Sequence, residues 1–135
     1  MAESPAAVAD THALVFHAEG GKRLGKRAAA HFRACDRREA VTFVPMAVAW
    51  EVCSLMRAGR IDLRRSPRDF FDRLFANPAY QALEIDLEQI LLADERRPSD
   101  DPFDALICAA AGSLDLPLLT RDEAIHDAGI VDWIW

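Results

Sequence analysis

The chain has 135 residues, a length typical of one domain, so we expect a single domain over residues 1–135. Apolar residues make up 51% and charged residues 28% of the sequence, which provides enough material for a packed core and excludes an intrinsically disordered chain. Twenty-two Asp and Glu against sixteen Lys and Arg give a formal net charge of −6. This balance excludes a generally basic nucleic-acid-binding surface, although it leaves room for a local basic patch.

Cysteine usage and hydropathy indicate the compartment. Cys35, Cys53 and Cys108 are odd in number and lack the paired spacing of a disulfide or zinc framework, so we expect reduced thiols. The longest small or apolar run, 105–112, is far shorter than the roughly 20 residues that cross a membrane. Glu3 stands where a signal peptide would carry positive charge. We therefore expect a cytoplasmic protein with no membrane association.

Strand and helix patterns alternate along the chain. Apolar, β-branched or aromatic runs predict strands over 5–9, 41–44, 80–85, 116–120 and 130–135. Helical spacing and capping signals predict helices over 11–17, 24–35, 47–58, 66–76, 87–93, 102–113 and 122–127. This alternation predicts right-handed βαβ units, and hence an α/β fold with a mainly parallel sheet covered on both faces.

Four carboxylates stand at the ends of predicted strands or in the first turns of predicted helices. They are Asp10, Glu51, Asp104 and Asp122. Because the strands of a parallel sheet point the same way, the loops at their carboxyl ends line one crevice. We therefore expect these acids to converge.

Each of three acids also has a purely structural interpretation. Asp10 is a suitable N-cap for the helix that follows it. Asp104 suits the first turn of a helix capped by Asp101, where the helix dipole favours an acid. Asp122 suits the first turn of a helix whose capping box begins at Thr120. From the sequence these alternatives remain open.

Glu51 and Asp104 are harder to explain structurally, because apolar residues at helical spacing place both on inward faces. Neither has a Lys or Arg three or four residues away, and a carboxylate is costly to bury unless it is paired or binds a cation. Hard oxygen ligands without a His or Cys cluster favour Mg²⁺ or Mn²⁺ over zinc. Such ions hold phosphate oxygens and activate water, so the predicted chemistry is phosphodiester hydrolysis.

Four short motifs occur in the order of a known family. They are Asp-Thr-His-Ala-Leu at 10–14, Trp-Glu-Val at 50–52, Asp-Pro-Phe-Asp-Ala-Leu-Ile at 101–107 and Leu-Thr-Arg-Asp at 119–122. In these motifs the chain resembles the PIN-domain ribonucleases, and especially the VapC-type toxins of toxin–antitoxin pairs. The resemblance implies a three-layer α/β/α sandwich, an Mg²⁺ or Mn²⁺ site and endoribonuclease activity on RNA. It also implies a homodimer and inhibition by a small cognate antitoxin protein.

The resemblance assigns roles to individual residues. Matched by motif, the metal-binding and catalytic acids fall on Asp10, Glu51, Asp104 and Asp122. Thr120 falls where a hydroxyl supports the site, and Asp101 falls on a recurrent acid that we assign mainly to capping and to support of the metal-binding acids. Arg121, next to Asp122, is the basic residue most expected near a bound phosphate.

Two basic clusters and an aromatic pair have open interpretations. The clusters are solvated helix faces or a rim that follows RNA phosphates. Trp133 and Trp135 share one side of the last predicted strand, which predicts core packing or contact with a second copy or an antitoxin. The basic clusters comprise Lys22, Arg23, Lys26 and Arg27, and Arg57, Arg60, Arg64, Arg65 and Arg68.

Two other functions compete with the nuclease. A PIN-like fold without activity could serve as a nucleic-acid- or protein-binding module, although the presence of all four acids favours the enzyme. A phosphoacceptor receiver domain would need an adjacent acidic pair after the first strand and a Lys after the last. Thr11 and His12 follow Asp10, and nothing basic follows Asp127, so this alternative ranks last.

Overall fold

The computed structural model describes residues 5–135, in which five strands alternate with seven helices. The strands are β1 (Ala6–Ala9), β2 (Val41–Pro45), β3 (Tyr80–Leu83), β4 (Leu118–Leu119) and β5 (Trp133–Ile134). The helices are α1 (Thr11–Ala18), α2 (Lys26–Asp36), α3 (Met46–Arg57), α4 (Pro67–Ala76), α5 (Leu87–Glu95), α6 (Pro102–Leu114) and α7 (Glu123–Ala128).

The strands form one parallel sheet in the order β3-β2-β1-β4-β5. The chain moves outward from β1 through β2 to β3, and then returns to the other side of β1 with β4 and β5. The direction of winding therefore reverses between β1 and β4, and open α/β sheets bind ligands in the crevice at such a reversal. Ala9 is in register with Leu119, so Asp10 and Thr120 emerge side by side at this point.

Adjacent residues of the central strands belong to different cores. Val8 and Leu118 lie in one buried cluster with residues of α1, α3 and α6. Their neighbours Ala7 and Leu119 lie in a second buried cluster with α2 residues, including Phe32. Because successive side chains of a strand point to opposite faces, both faces of the sheet are covered by helices. The predicted three-layer α/β/α sandwich with a parallel sheet is confirmed.

Capping signals confirm two of the predicted helix ends. Ser66 caps α4, and its hydroxyl accepts a hydrogen bond from Asp69 N at 3.1 Å, with Pro67 in the first turn. Asp101 caps α6 and accepts from Phe103 N at 2.8 Å. Side-chain acceptors of this kind satisfy N–H groups that have no partner within the helix.

The structure corrects several predicted boundaries. β3 ends at Leu83, and β4 and β5 have only two residues each. The prediction of core packing is wrong for Trp133, which is 41% exposed and stacks on His126 at 3.5 Å between ring centroids. It is confirmed for Trp135, which packs against the buried clusters.

The three cysteines are free thiols, as predicted. Across residues 5–135, none of the helices combines the length and apolar character that a membrane crossing requires.

Candidate active site

Asp10 lies where β1 ends, at the reversal point of the sheet, and is only 8% exposed. Its Oδ1 accepts a hydrogen bond from Thr11 N at 2.7 Å, which makes it the N-cap of α1. Its Oδ2 accepts from the Thr120 hydroxyl at 2.6 Å. The capping interpretation of Asp10 is therefore correct, and the same side chain also joins two strand ends that are 110 residues apart in sequence.

Thr120 and Asp122 occupy the end of the neighbouring strand. Thr120 is fully buried, and its hydroxyl accepts from Asp122 N at 3.1 Å while it donates to Asp10. The prediction that Thr120 caps the next helix is wrong. Asp122 is the N-cap of α7 and accepts from Ile125 N at 3.2 Å, whereas Thr120 lies two residues before the cap and accepts from Asp122 N.

Glu51 approaches from the helix that follows β2. Because α3 begins directly after β2, its first turns lie at the carboxyl edge of the sheet. Glu51 is half-buried in the second turn, and the Thr11 hydroxyl donates to its Oε1 at 2.5 Å. Thr11 therefore links the helix capped by Asp10 to the carboxylate of Glu51.

Asp104 lies in the first turn of α6 and is half-buried. The Ser99 hydroxyl donates to its Oδ2 at 3.1 Å. Asp101, three residues earlier, is exposed and caps the helix. The assignment of Asp101 to capping is therefore confirmed.

The pKa values of these acids indicate that they interact. Burial raises the pKa of Asp10, and the charge of Asp122 adds to the effect. Burial likewise raises the pKa of Glu51, with the charges of Asp10 and Asp101 adding to it. Burial raises the pKa of Asp104 to about 6, with the charges of Asp101, Asp10 and Asp122 adding to it. Each pKa is thus raised further by at least one other of the predicted acids, which is the effect that nearby like charges have.

Cys108 gives a separate indication of the same convergence. It is buried one helical turn after Asp104, and burial raises the pKa of its thiol to about 12, with the charges of Asp10, Asp104 and Asp122 adding to it. The charges of three predicted acids, from three different segments of the chain, thus all act on the pKa of one buried thiol.

The donors suit a hard divalent cation. All are carboxylate or hydroxyl oxygens, and among residues 5–135 His12 is the only positive group that lowers the pKa of Asp10 or Glu51. Those residues contain no set of three His, Cys, Asp or Glu side chains already arranged to hold a metal ion. Mg²⁺ keeps several waters and uses one or two carboxylates, so the oxygen donors fit Mg²⁺ or Mn²⁺ without a complete protein cage.

Some residues of the site have positions that the sequence did not reveal. Thr11 and Ser99 hold carboxylates by hydrogen bonds, and the exposed His12 lowers the pKa of Asp10 and Glu51. The adjacency of Thr11 and His12 to Asp10 was the available signal. Arg121 places its guanidinium 4.7 Å from the centroid of the Phe16 ring.

Comparisons with known proteins agree with this geometry. The chain matches the family model of the PIN domain over residues 7–131. It is similar to the structure of VapBC2 from Rickettsia felis bound to a DNA fragment from their promoter, with a TM-score of 0.70 and 9% identity over 96% of this chain and 97% of that one. A toxin–antitoxin complex from Klebsiella pneumoniae matches with a TM-score of 0.60 and 19% identity over 96% of each chain.

A further similar structure is FitAcB from Neisseria gonorrhoeae, with a TM-score of 0.65 and 16% identity over 95% of this chain and 96% of that one. At such low identity these structures show a shared fold. A comparison with proteins of curated function found no significant sequence match. Because the family match spans most of the chain, the resemblance seen in the sequence is confirmed, and the protein belongs to the PIN-domain family.

Proposed function

We propose that the protein is a metal-dependent endoribonuclease and the toxin of a toxin–antitoxin pair. The observation that carries this proposal is the buried carboxylate of Asp10 at the reversal point of the sheet, whose charge raises the pKa of both Glu51 and Asp104. Without a cation these charges disfavour one another, so the arrangement is costly unless it serves to bind one.

Asp10 and Asp104 would hold the ion, with Glu51 and Asp122 as further oxygen donors. When bound, Mg²⁺ or Mn²⁺ supplies Lewis-acid catalysis and an activated water. The Thr120 and Thr11 hydroxyls orient the carboxylates of Asp10 and Glu51. Hydrogen bonds to the ionised form also oppose the effect of burial on each carboxylate.

The proposed partners follow from the chemistry and from the similar structures. An RNA phosphodiester is the substrate that a carboxylate-bound divalent ion would cleave. One structure that shares the fold is a toxin–antitoxin complex from Klebsiella pneumoniae, which supports a small cognate antitoxin as the physiological inhibitor. We further propose that the protein acts as a homodimer in the cytoplasm.

The test is cleavage of structured and unstructured RNA by protein purified free of antitoxin. We expect cleavage with Mg²⁺ or Mn²⁺ and none with EDTA, and a loss of at least about 100-fold in Asp10→Asn and Asp104→Asn. Asp72→Asn, on the exposed side of α4, is the matched control and should cleave like the wild type.

Two outcomes would contradict the proposal. Equal cleavage by Asp104→Asn would point to a contaminating nuclease or to another site. Absence of cleavage under every metal condition, together with retained RNA or protein binding, would favour the inactive PIN-like binding module.

A further inference from the structure

Two arginines from distant segments share one aromatic ring. The guanidinium carbon of Arg23, in the loop before α2, lies 4.2 Å from the centroid of Phe16, and that of Arg121, just after β4, lies 4.7 Å from it. Phe16 is only 2% exposed, and Trp135 packs edge-on against it at 6.2 Å between centroids. Guanidinium groups are attracted to aromatic faces, so Phe16 fixes the positions of both side chains, which we call the arginine pair.

The arginine pair has no carboxylate partner within the described residues. The ion pairs found between residues 5 and 135 involve other arginines, and neither Arg23 nor Arg121 lies within 4 Å of an acidic oxygen there. Both residues are exposed. The exposed residues Lys22, Lys26 and Arg27 neighbour Arg23 in sequence. Two fixed like charges, with their donors open to solvent, form a surface that favours an anion.

A short path along α1 connects the arginine pair to the acids. His12 and Phe16 are four residues apart, on the same side of the helix, with ring centroids 5.9 Å apart. The charge of His12 acts on Asp10 and Glu51. At a rise of about 1.5 Å per residue, Phe16 lies about 9 Å from Asp10 along the axis of α1. The ring that the arginine pair shares therefore lies less than two helical turns from Asp10 along α1.

The geometry points to the arginine pair as a phosphate-binding site that holds an RNA strand beside the point of cleavage. This inference rests on the proposed nuclease function and adds the surface that positions its substrate. The chain carries a net charge of −6, so a polyanion reaches the acidic crevice only where local positive charge offsets the repulsion. The planar fork of a guanidinium binds phosphate oxygens in pairs.

The experiment measures binding of a fluorescent single-stranded oligoribonucleotide by anisotropy over a range of salt concentrations. All proteins carry Asp104→Asn, so that cleavage does not interfere. The variants are Arg23→Gln, Arg121→Gln and the double variant. Arg38→Gln is the matched control, because Arg38 is exposed and precedes β2 at the opposite edge of the sheet.

We expect each substitution in the arginine pair to reduce the slope of log K against log salt by about 0.7 and to weaken binding about fivefold at about 0.1 M salt. The double variant should lose about 25-fold by the same relation. Arg23→Lys and Arg121→Lys should retain the slope, because lysine keeps the charge. Arg38→Gln should leave both the affinity and the slope unchanged.

Unchanged slopes in the glutamine variants, with a lowered Tm, would overturn the inference and show that the arginines only cover Phe16. Failure of the Asp104→Asn parent protein to bind RNA would also overturn it. So would arginine variants that bind RNA normally but lose binding to an acidic protein segment. The two proposals fail separately. If the wild-type protein cleaves RNA but the glutamine variants have unchanged slopes, only the nuclease proposal stands. If the slopes are reduced but the wild-type protein never cleaves RNA, only the phosphate-binding site stands.

Discussion

Replacing Asp104 by Asn should stabilise the metal-free protein at neutral pH. Asn has the same shape, can still accept the hydrogen bond from the Ser99 hydroxyl, and removes a charge that burial and three neighbouring acids disfavour. A substitution in a candidate active site would then raise the free energy of unfolding. The reason is that folding buries this carboxylate near other acids, which disfavours its ionised form.

The magnitude follows from the pKa of Asp104, which rises from 3.8 to about 6 on folding. Two units correspond to about 3 kcal/mol, which we reduce to about 1.5 kcal/mol because the half-buried side chain is screened by solvent. Losing a favourable negative charge in the first turn of α6 costs about 0.5 kcal/mol. The net gain is about 1 kcal/mol, or a Tm increase of about 3 °C for a domain of this size.

The sign of the pH dependence is fixed by which state binds the proton more tightly. Between pH 3.8 and about 6 the folded state retains the Asp104 proton and the unfolded state loses it, so this group's contribution to stability falls as pH rises through that window. The raised pKa values of Asp10 and Glu51 act in the same direction. The advantage of Asp104→Asn over the wild type should therefore be absent at about pH 4 and complete at about pH 7.

Urea or thermal unfolding in EDTA, across this pH range, measures the difference directly. Mg²⁺ should reverse the order, because an ion that binds only the folded state stabilises it, and the variant lacks one of its proposed ligands. Asp72→Asn, the exposed control on α4, should follow the wild type throughout. An Asp104→Asn protein that is less stable than the wild type in EDTA at neutral pH, or that gains as much from Mg²⁺, would refute the reasoning.

Three further predictions concern residues that support the site and the fold. Thr120→Val removes the hydroxyl that donates to Asp10 and should lower the free energy of unfolding in urea by about 1–3 kcal/mol, whereas Thr120→Ser should not. Gly25→Ala places a Cβ against the backbone and ring of Trp135 and should cost about 1–3 kcal/mol, while Gly112→Ala, which meets only the flexible Leu92 side chain at 3.3 Å, should be neutral or stabilising. An unchanged Tm in Gly25→Ala would contradict that contact. A thiol reagent followed by mass spectrometry should modify half-buried Cys53 in the native protein, and should reach Cys35 and Cys108 only after unfolding, because burial raises the pKa of both.

The order of elements could be predicted because hydrophobic periodicity and turn residues are local signals. The lengths of the last two strands could not be predicted, because an apolar run does not reveal how many of its residues pair with a neighbouring strand. In 116–120, Leu118 and Leu119 are in register with β1 and β5, whereas Pro117 accepts from Val8 N but has no N–H to donate. The Ala-rich β1 is the central strand of the sheet, where burial on both faces compensates for its weak intrinsic preference.

Side-chain hydrogen bonds and stacking depend on contacts between distant segments. We expected Thr120 to cap the helix that follows it, α7, but its hydroxyl donates to Asp10 at the reversal point of the sheet. Arg121 follows Thr120 directly, and its guanidinium lies over a ring that is 105 positions earlier in the chain. Local spacing marked these residues as important, but it could not indicate which partner each side chain meets.

From the sequence, an acid at a helix start could be either a helix cap or a functional acid, and the structure shows that the two roles are compatible. Helices that follow parallel strands begin at the carboxyl edge of the sheet, so an acid that caps such a helix already stands at the ligand-binding crevice. A cap needs a single carboxylate oxygen: Asp10 uses Oδ1 for Thr11 N, and Asp122 uses Oδ1 for Ile125 N. The second oxygen remains for another partner, which for Asp10 is the Thr120 hydroxyl. Both oxygens of Asp10 thus accept one hydrogen bond each, but a carboxylate oxygen has two lone pairs, so capping at this edge does not compete with the proposed role of these acids as cation ligands.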